Sequence, residues 1–166
     1  EWMQRAMRDP LTGIGNRSAL HQDVLAKQHQ SLGLILLDID FFKQYNDAYG
    51  HPQGDMLLRQ LTTLIGKTLN DEAQLYRLGG DEFAALLHCP DNETLKSCCH
   101  QLIEGLHEAG FSHPAHPDKK GVTLSVGGSC FVAAEHTFAH AYEAADKALY
   151  RVKAAGRDGW QVTEDA

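Results

Sequence analysis

Apolar residues recur along this chain in two rhythms. Leu20, Val24 and Leu25 keep helical spacing, which predicts a helix over residues 17–30. Residues 32–39 form the most apolar run, short enough for a strand buried on both faces. A helical turn and loop over 41–50 should follow. His51-Pro52-Gln53-Gly54-Asp55 then opens a long amphipathic helix with Met56, Leu57, Leu61, Leu64 and Ile65 toward the core. Residues 75–78 and 83–87 read as short strands joined at Gly79-Gly80, a strong hairpin signal. Leu95, Cys99, Leu102, Ile103 and Leu106 mark a helix over 94–110. Residues 122–132 alternate as a strand through Gly127-Gly128, where a bulge or a close backbone approach is expected. A last helix over 137–155 turns Tyr142, Ala145, Ala148, Leu149 and Val152 inward, and residues 160–162 form a closing strand. Residues 111–121, with Pro114 and Pro117 among histidines and lysines, are expected to be an exposed, mobile loop.

At the start, residues 1–8 resemble the tail of a linker helix carrying Trp2, Met3 and Met7, stopped before Pro10. Beginning in mid-helix implies a segment upstream. Residues 11–16 form a glycine-rich turn without the Lys-Ser/Thr ending of a phosphate loop. Residues 9–166 then make one domain. Its order, β-α-α-β-β-α-β-α with a terminal strand, is the α+β pattern of a split β-α-β, a mostly antiparallel sheet with flanking helices.

Composition narrows the function. A chain of 166 residues, 43% hydrophobic and 22% charged, is ordinary for one globular domain. A net charge of −7 argues against nucleic acid held through its phosphate backbone, so a polyanionic ligand would need a metal ion between. The four cysteines show no CxxC spacing and read as reduced thiols of a cytoplasmic protein, and the ten histidines show no HExxH pattern. No apolar run approaches the ~20 residues of a membrane span. The domain is therefore expected in the cytoplasm without touching a membrane itself, which leaves room for a membrane-anchored parent.

Two acidic pairs carry the candidate chemistry. Alternation puts Asp38 and Asp40 on one face at the end of a buried strand, where a divalent cation is a natural partner. Asp40 has a second reading as the cap of the next helix. Asp81 and Glu82 follow the paired glycines, and adjacent carboxylates repel unless a cation or a proton-transfer task compensates. Asp38, Asp81 and Glu82 would converge on one metal site in the expected sheet. Lys43, Asn46 and Asp47 lie just beyond the first strand, well placed for a ligand. Asp55 fits either a ligand contact or the dipole of its helix, and Lys153 and Arg157 fit either ligand binding or terminal carbonyls.

Taken together, the residues resemble the GGDEF-domain diguanylate cyclases, similar in fold to the palm of nucleotidyl cyclases and polymerases. The resemblance runs through Asp9-Pro10-Leu11-Thr12-Gly13 with Asn16-Arg17, Asp38-Ile39-Asp40-Phe41-Phe42-Lys43, Asn46-Asp47, Gly50-His51 with Gly54-Asp55, and Gly79 to Phe83. It continues through Ser125-Val126-Gly127 and Ala145-Asp146-Lys147-Ala148-Leu149-Tyr150 to Lys153, Gly156 and Arg157. The family implies condensation of two GTP to cyclic di-GMP with release of pyrophosphate. It also implies a homodimer of such domains and control by an N-terminal sensor. Asp38, the carbonyl of Ile39 and Asp81 resemble its ligands for Mg²⁺ or Mn²⁺, and Asp81 also resembles the acceptor of the 3′-hydroxyl proton. Glu82 would assist at the second metal position or hold the turn. Lys43 resembles the residue that stabilises phosphate charge in the transition state, and Asn46 and Asp55 the readers of guanine. His51 would be a substrate contact beside them, and Lys153 and Arg157 a phosphate clamp.

Two departures stand out. Where many members carry Arg-x-x-Asp, an inhibitory product site, this chain has Asn70-Asp71-Glu72-Ala73, so inhibition through that site is expected to be absent. Asp158 replaces a usual Asn after Arg157, a change expected to weaken the clamp slightly. A receptor that binds GTP or cyclic di-GMP without turnover is the alternative reading.

Overall fold

The computed structural model describes residues 6–118, 120–134 and 136–163. Its elements run α1 (Arg17–Ala26), β1 (Ser31–Ile39), α2 (Phe42–Tyr49), α3 (His51–Thr68), β2 (Gln74–Gly79), β3 (Glu82–His88), α4 (Asn92–Ala109), β4 (Leu124–Val132), α5 (Thr137–Ala154) and β5 (Gly159–Thr163). The strands form one sheet in the order β2-β3-β1-β4-β5. β1 is antiparallel to both β3 and β4, β2 is antiparallel to β3, and only the β4–β5 pairing is parallel. This is the expected α+β sheet with the split β-α-β at its centre.

β1 is apolar throughout because it is covered on both sides. Ile35, Leu37 and Ile39 pack with Leu57, Leu61 and Ile65 of α3 and Leu95, Leu102 and Leu106 of α4. Leu32, Leu34 and Leu36 pack on the other face with Leu20 and Val24 of α1 and Ala141, Ala145 and Leu149 of α5. Alternation then carries Asp38 onto the α5 face. Asn16 caps α1 by accepting from the Ala19 N–H at 3.0 Å, and Asp91 caps α4 from the Thr94 N–H at 2.8 Å.

Several expectations need correction. α1 ends at Ala26, well short of residue 30, and residues 42–49 are a complete helix. Met56 is 49% exposed; Leu58 takes its place in the core. No bulge interrupts β4, whose register against β1 is continuous from Ser125 to Val132. The close approach is real: a Cβ on Gly127 would lie 2.4 Å from both the Ala145 carbonyl oxygen and the Leu149 nitrogen. α5 therefore packs backbone to backbone on β4, and this fixes where its last turn ends. The stretch 111–121 is irregular, yet His113 and His116 within it are each only 2% exposed. Of the expected N-terminal helix tail, residues 1–5, including Trp2 and Met3, lie outside the described residues, and the chain already turns at Met7.

Candidate active site

The hairpin turn is shifted by one residue from its expected place. Gly79 pairs with Glu82, so the two turn residues are Gly80 and Asp81, and Glu82 begins β3. Gly79 has φ 151° and Gly80 φ 49°, conformations that side chains disfavour, and a Cβ at either would meet nothing within 4 Å. The glycines are there for the backbone bend, and the bend leaves open space over the tip. Arg77 braces it by donating from Nε to the Gly80 carbonyl at 2.9 Å while its other end pairs with Asp9 at 3.2 Å.

The exit of β1 lies against this tip. The Ile39 N–H donates to the Asp81 carbonyl at 3.4 Å, and Asp38 faces Glu82 across the β1–β3 ladder. Asp38 is buried, at 7% exposure. One carboxylate oxygen, Oδ2, pairs with the Lys153 ammonium from the end of α5. The other, Oδ1, is buried with no hydrogen-bond partner among the described residues. Burial lifts the Asp38 carboxyl above its ordinary value despite Lys153, and the Asp40 charge adds to the rise. Asp81 is pushed up to about 6, by burial first and then by the Asp38 charge, with Glu82 contributing. The structure thus brings Asp38, Asp81 and Lys153 together. Glu82 is exposed at the margin, and no group of three or more metal-ligating side chains is assembled among the described residues. The three carboxylates lie close enough for the charges of Asp38 and Glu82 both to act on Asp81, and only Asp38 among them is buried, with one orphaned oxygen.

Asp40 neither joins that pair nor caps a helix. It is 1% exposed, and its carboxylate accepts from the Thr123 hydroxyl at 2.7 Å, the Ser125 hydroxyl at 2.6 Å and the Asp158 N–H at 2.9 Å. Thr123 in turn meets His116 at 3.1 Å, and His113 meets the Phe41 carbonyl at 3.1 Å. Phe41 and Arg157 both hold left-handed backbone, and the Arg157 guanidinium lies 5.1 Å from the centre of the Phe41 ring. Sequence reasoning missed this buried network. Its histidines sit in a Pro-rich stretch that reads as solvent-facing, and its hydroxyls belong to a strand read for its apolar alternation.

The side chain of Asp158 points its charge elsewhere. Its carboxylate pairs with Lys120 at 2.9 Å and His107 at 2.7 Å. Burial would raise the Asp158 carboxyl, but these two partners outweigh burial and hold it below its ordinary value. Arg157 is still close enough to Asp38 for its charge to lower the Asp38 carboxyl slightly.

The α2–α3 corner carries the remaining candidates. Lys43 is 84% exposed and pairs with Asp47 at 3.1 Å; His51 is exposed and Asp55 half-buried. Asn46 Oδ1 is buried without a partner among the described residues, and a Cβ on Gly54 would lie 1.8 Å from it. Gly54 therefore makes the room in which the Asn46 amide sits, one residue before Asp55.

With this geometry in view, comparison with known proteins is decisive. Residues 6–159 match the family model described as "Diguanylate cyclase, GGDEF domain". The chain belongs to the GGDEF family. Its GGDEF relatives include the diguanylate cyclase DgcP of Pseudomonas aeruginosa, 38% identical over 96% of this chain and 24% of that protein. The probable diguanylate cyclase DgcT of Escherichia coli is 33% identical over 92% of this chain and 35% of that protein. This GGDEF domain thus spans about a quarter to a third of the length of those relatives. Among solved structures, the coiled coil and GGDEF domain of DgcB from Caulobacter crescentus, in complex with c-di-GMP, superposes with a TM-score of 0.83 at 25% identity, covering 98% of this chain and 88% of that one. No described helix is long and apolar enough to cross a membrane.

Proposed function

We propose that this chain is the catalytic domain of a diguanylate cyclase, which condenses two GTP to cyclic di-GMP and releases pyrophosphate. The observation that carries the reading is buried Asp38, with one oxygen unpartnered, repelling half-buried Asp81 beside it, in a chain of this family. Oxygen donors in mutual repulsion fit a hard divalent cation, so Asp38, the Ile39 carbonyl and Asp81 would hold Mg²⁺ or Mn²⁺. When bound, that ion supplies charge neutralisation on the triphosphate and polarisation of the α-phosphorus.

The chain's own residues would do the rest. Asp81, at the open tip of the turn, would also take the 3′-hydroxyl proton. Glu82, exposed beside it, would assist at the edge of the site or steady the turn. Lys43 sits in an exposed pair with Asp47, weak enough to exchange for phosphate oxygens, where its positive charge would stabilise the transition state. Lys153 and Arg157 would clamp the phosphates from the α5 end. The unpartnered Asn46 oxygen and the Asp55 carboxylate are acceptors for the guanine N1–H and 2-amino group, with His51 as a neighbouring contact.

One domain holds one GTP, so the reaction needs two domains face to face, each 3′-hydroxyl aimed at the other's α-phosphate. This domain would work in the cytoplasm, where GTP is supplied, and a sensor N-terminal to it in the full-length protein would set that geometry. A fusion that forces dimerisation, incubated with Mg²⁺ and either GTP or ATP, tests the reading. Cyclic di-GMP and pyrophosphate should form from GTP alone. Asp81→Asn should abolish turnover while leaving the fold intact, and full activity in that variant would overturn the assignment. GTP binding without product, even in the forced dimer, would mark a nucleotide receptor instead.

A further inference from the structure

At the end of β1 opposite Asp38, a cysteine of β4 meets one that lies just past the end of β3. Gly33 of β1 pairs with Leu87 of β3 on one side and Cys130 of β4 on the other. Cys89 follows β3 immediately, and its N–H donates to the Ser31 carbonyl at 2.9 Å. A Cβ on Gly33 would lie 3.1 Å from the Cys89 Cβ and 3.4 Å from its Sγ, so the missing side chain of Gly33 makes room for this sulfur above the central strand. The Cys89 and Cys130 sulfurs stand 3.6 Å apart, and both lie within reach of the Asp91 carbonyl, at 3.1 and 3.3 Å. Neither is bonded to another cysteine.

We propose that Cys89 and Cys130 form a peroxide-oxidisable dithiol that closes to a disulfide joining the exit of β3 to β4 across Gly33. The inference is independent of the proposed cyclase reaction. The sulfurs are in van der Waals contact, and closure brings them about 1.5 Å nearer, to the S–S length of about 2.05 Å. Cys130 is half-buried and admits the oxidant, whereas Cys89 is 1% exposed. The hydrogen bond from Cys130 outweighs burial and pulls the Cys89 thiol down to about 7, so this pair carries a thiolate near neutral pH. Asp91, Cys98 and Cys99 are the other titratable groups that bear on it. Burial raises the Cys98 and Cys99 thiols, which keeps them protonated and slow to react.

In the first step the Cys89 thiolate attacks a peroxide oxygen that enters past Cys130. The O–O bond breaks, an S–O bond forms, and the departing hydroxide takes the Cys130 proton and leaves as water. The Cys130 thiolate then attacks the sulfenic sulfur of Cys89; the S–S bond forms, the S–O bond breaks, and the departing hydroxide takes a proton from solvent and leaves as a second water. Two thiols are oxidised and one peroxide is reduced.

The test is hydrogen peroxide treatment of the native chain, followed by alkylation of free thiols and peptide mapping by mass spectrometry. Two of the four thiols should disappear, in a single cross-linked peptide pair joining Cys89 to Cys130, and dithiothreitol should restore both. Cys98→Ser should still form the link and Cys130→Ser should not. A link through Cys98, two thiols still lost in Cys130→Ser, or four free thiols after full exposure would each overturn the proposal.

Discussion

Asp38 and Asp40 leave the same strand two residues apart, and the molecule treats them in opposite ways. Asp40 has every need met by two hydroxyls and a backbone N–H. Asp38 has one oxygen paired and one stranded, beside a second acid that it repels. A buried polar group is costly only when unpaired, so Asp40 belongs to the scaffold and Asp38 to the chemistry. Satisfied groups hold the frame rigid around groups left unsatisfied for a ligand.

The comparison breaks most visibly at Asp40. Asp40→Ala strands three buried donors and should cost about 3–5 kcal/mol of stability, read as a lower denaturant midpoint. Gly127→Ala comes next. Its new Cβ meets α5 backbone rather than a flexible side chain, and overpacking of that kind costs about 1–3 kcal/mol. Because α5 carries Lys153, turnover should fall with it, while a loss of stability without any loss of turnover would separate the helix from the site.

A third difference is set by pH. Asp81 binds its proton more tightly folded than unfolded, so its contribution is fully present at low pH and is lost as pH rises from its ordinary 3.8 to about 6. Asp81 is partly open to solvent, and after discounting for screening the loss is about 1 kcal/mol. The stability of the native chain relative to Asp81→Asn, read from denaturant midpoints, should therefore fall across that window. Added Mg²⁺ should flatten the same slope. Asp38→Asn is the gentlest for the fold. It should change stability by less than about 1 kcal/mol, because Lys153 regains solvent as the buried charge goes. It should also lower the Asp81 carboxyl toward its ordinary value, measurable by NMR titration, and remove turnover.

The rhythm of apolar residues made the sheet and helices legible, because each element buries a defined face. Ile35, Leu37 and Ile39 had to alternate with Leu34, Leu36 and Asp38 on a strand covered twice. Met56 misled because it occupies a helical position beside the core face, and periodicity alone does not set the edge of that face. The acids of the site were legible as residues but not as a geometry. Whether Asp40 faces a cation or two hydroxyls depends on Thr123 and Ser125, more than eighty positions away. The Asp40 network, with its buried histidines, was hidden for the same reason. Hydrogen bonds between distant segments leave no periodic trace.

Arg77 has a consequence for how small this domain can be made. Its side chain spans from Asp9 to the Gly80 carbonyl, and Gly15 adds backbone bonds to Leu75 and Arg77. The segment before α1 is thus sewn to β2, outside the helices and strands that define the sheet. A fragment trimmed to begin at α1 would keep every element and still lose the Asp9 anchor of the arginine that braces the turn. Asp9, outside every helix and strand, is thereby part of what steadies the turn.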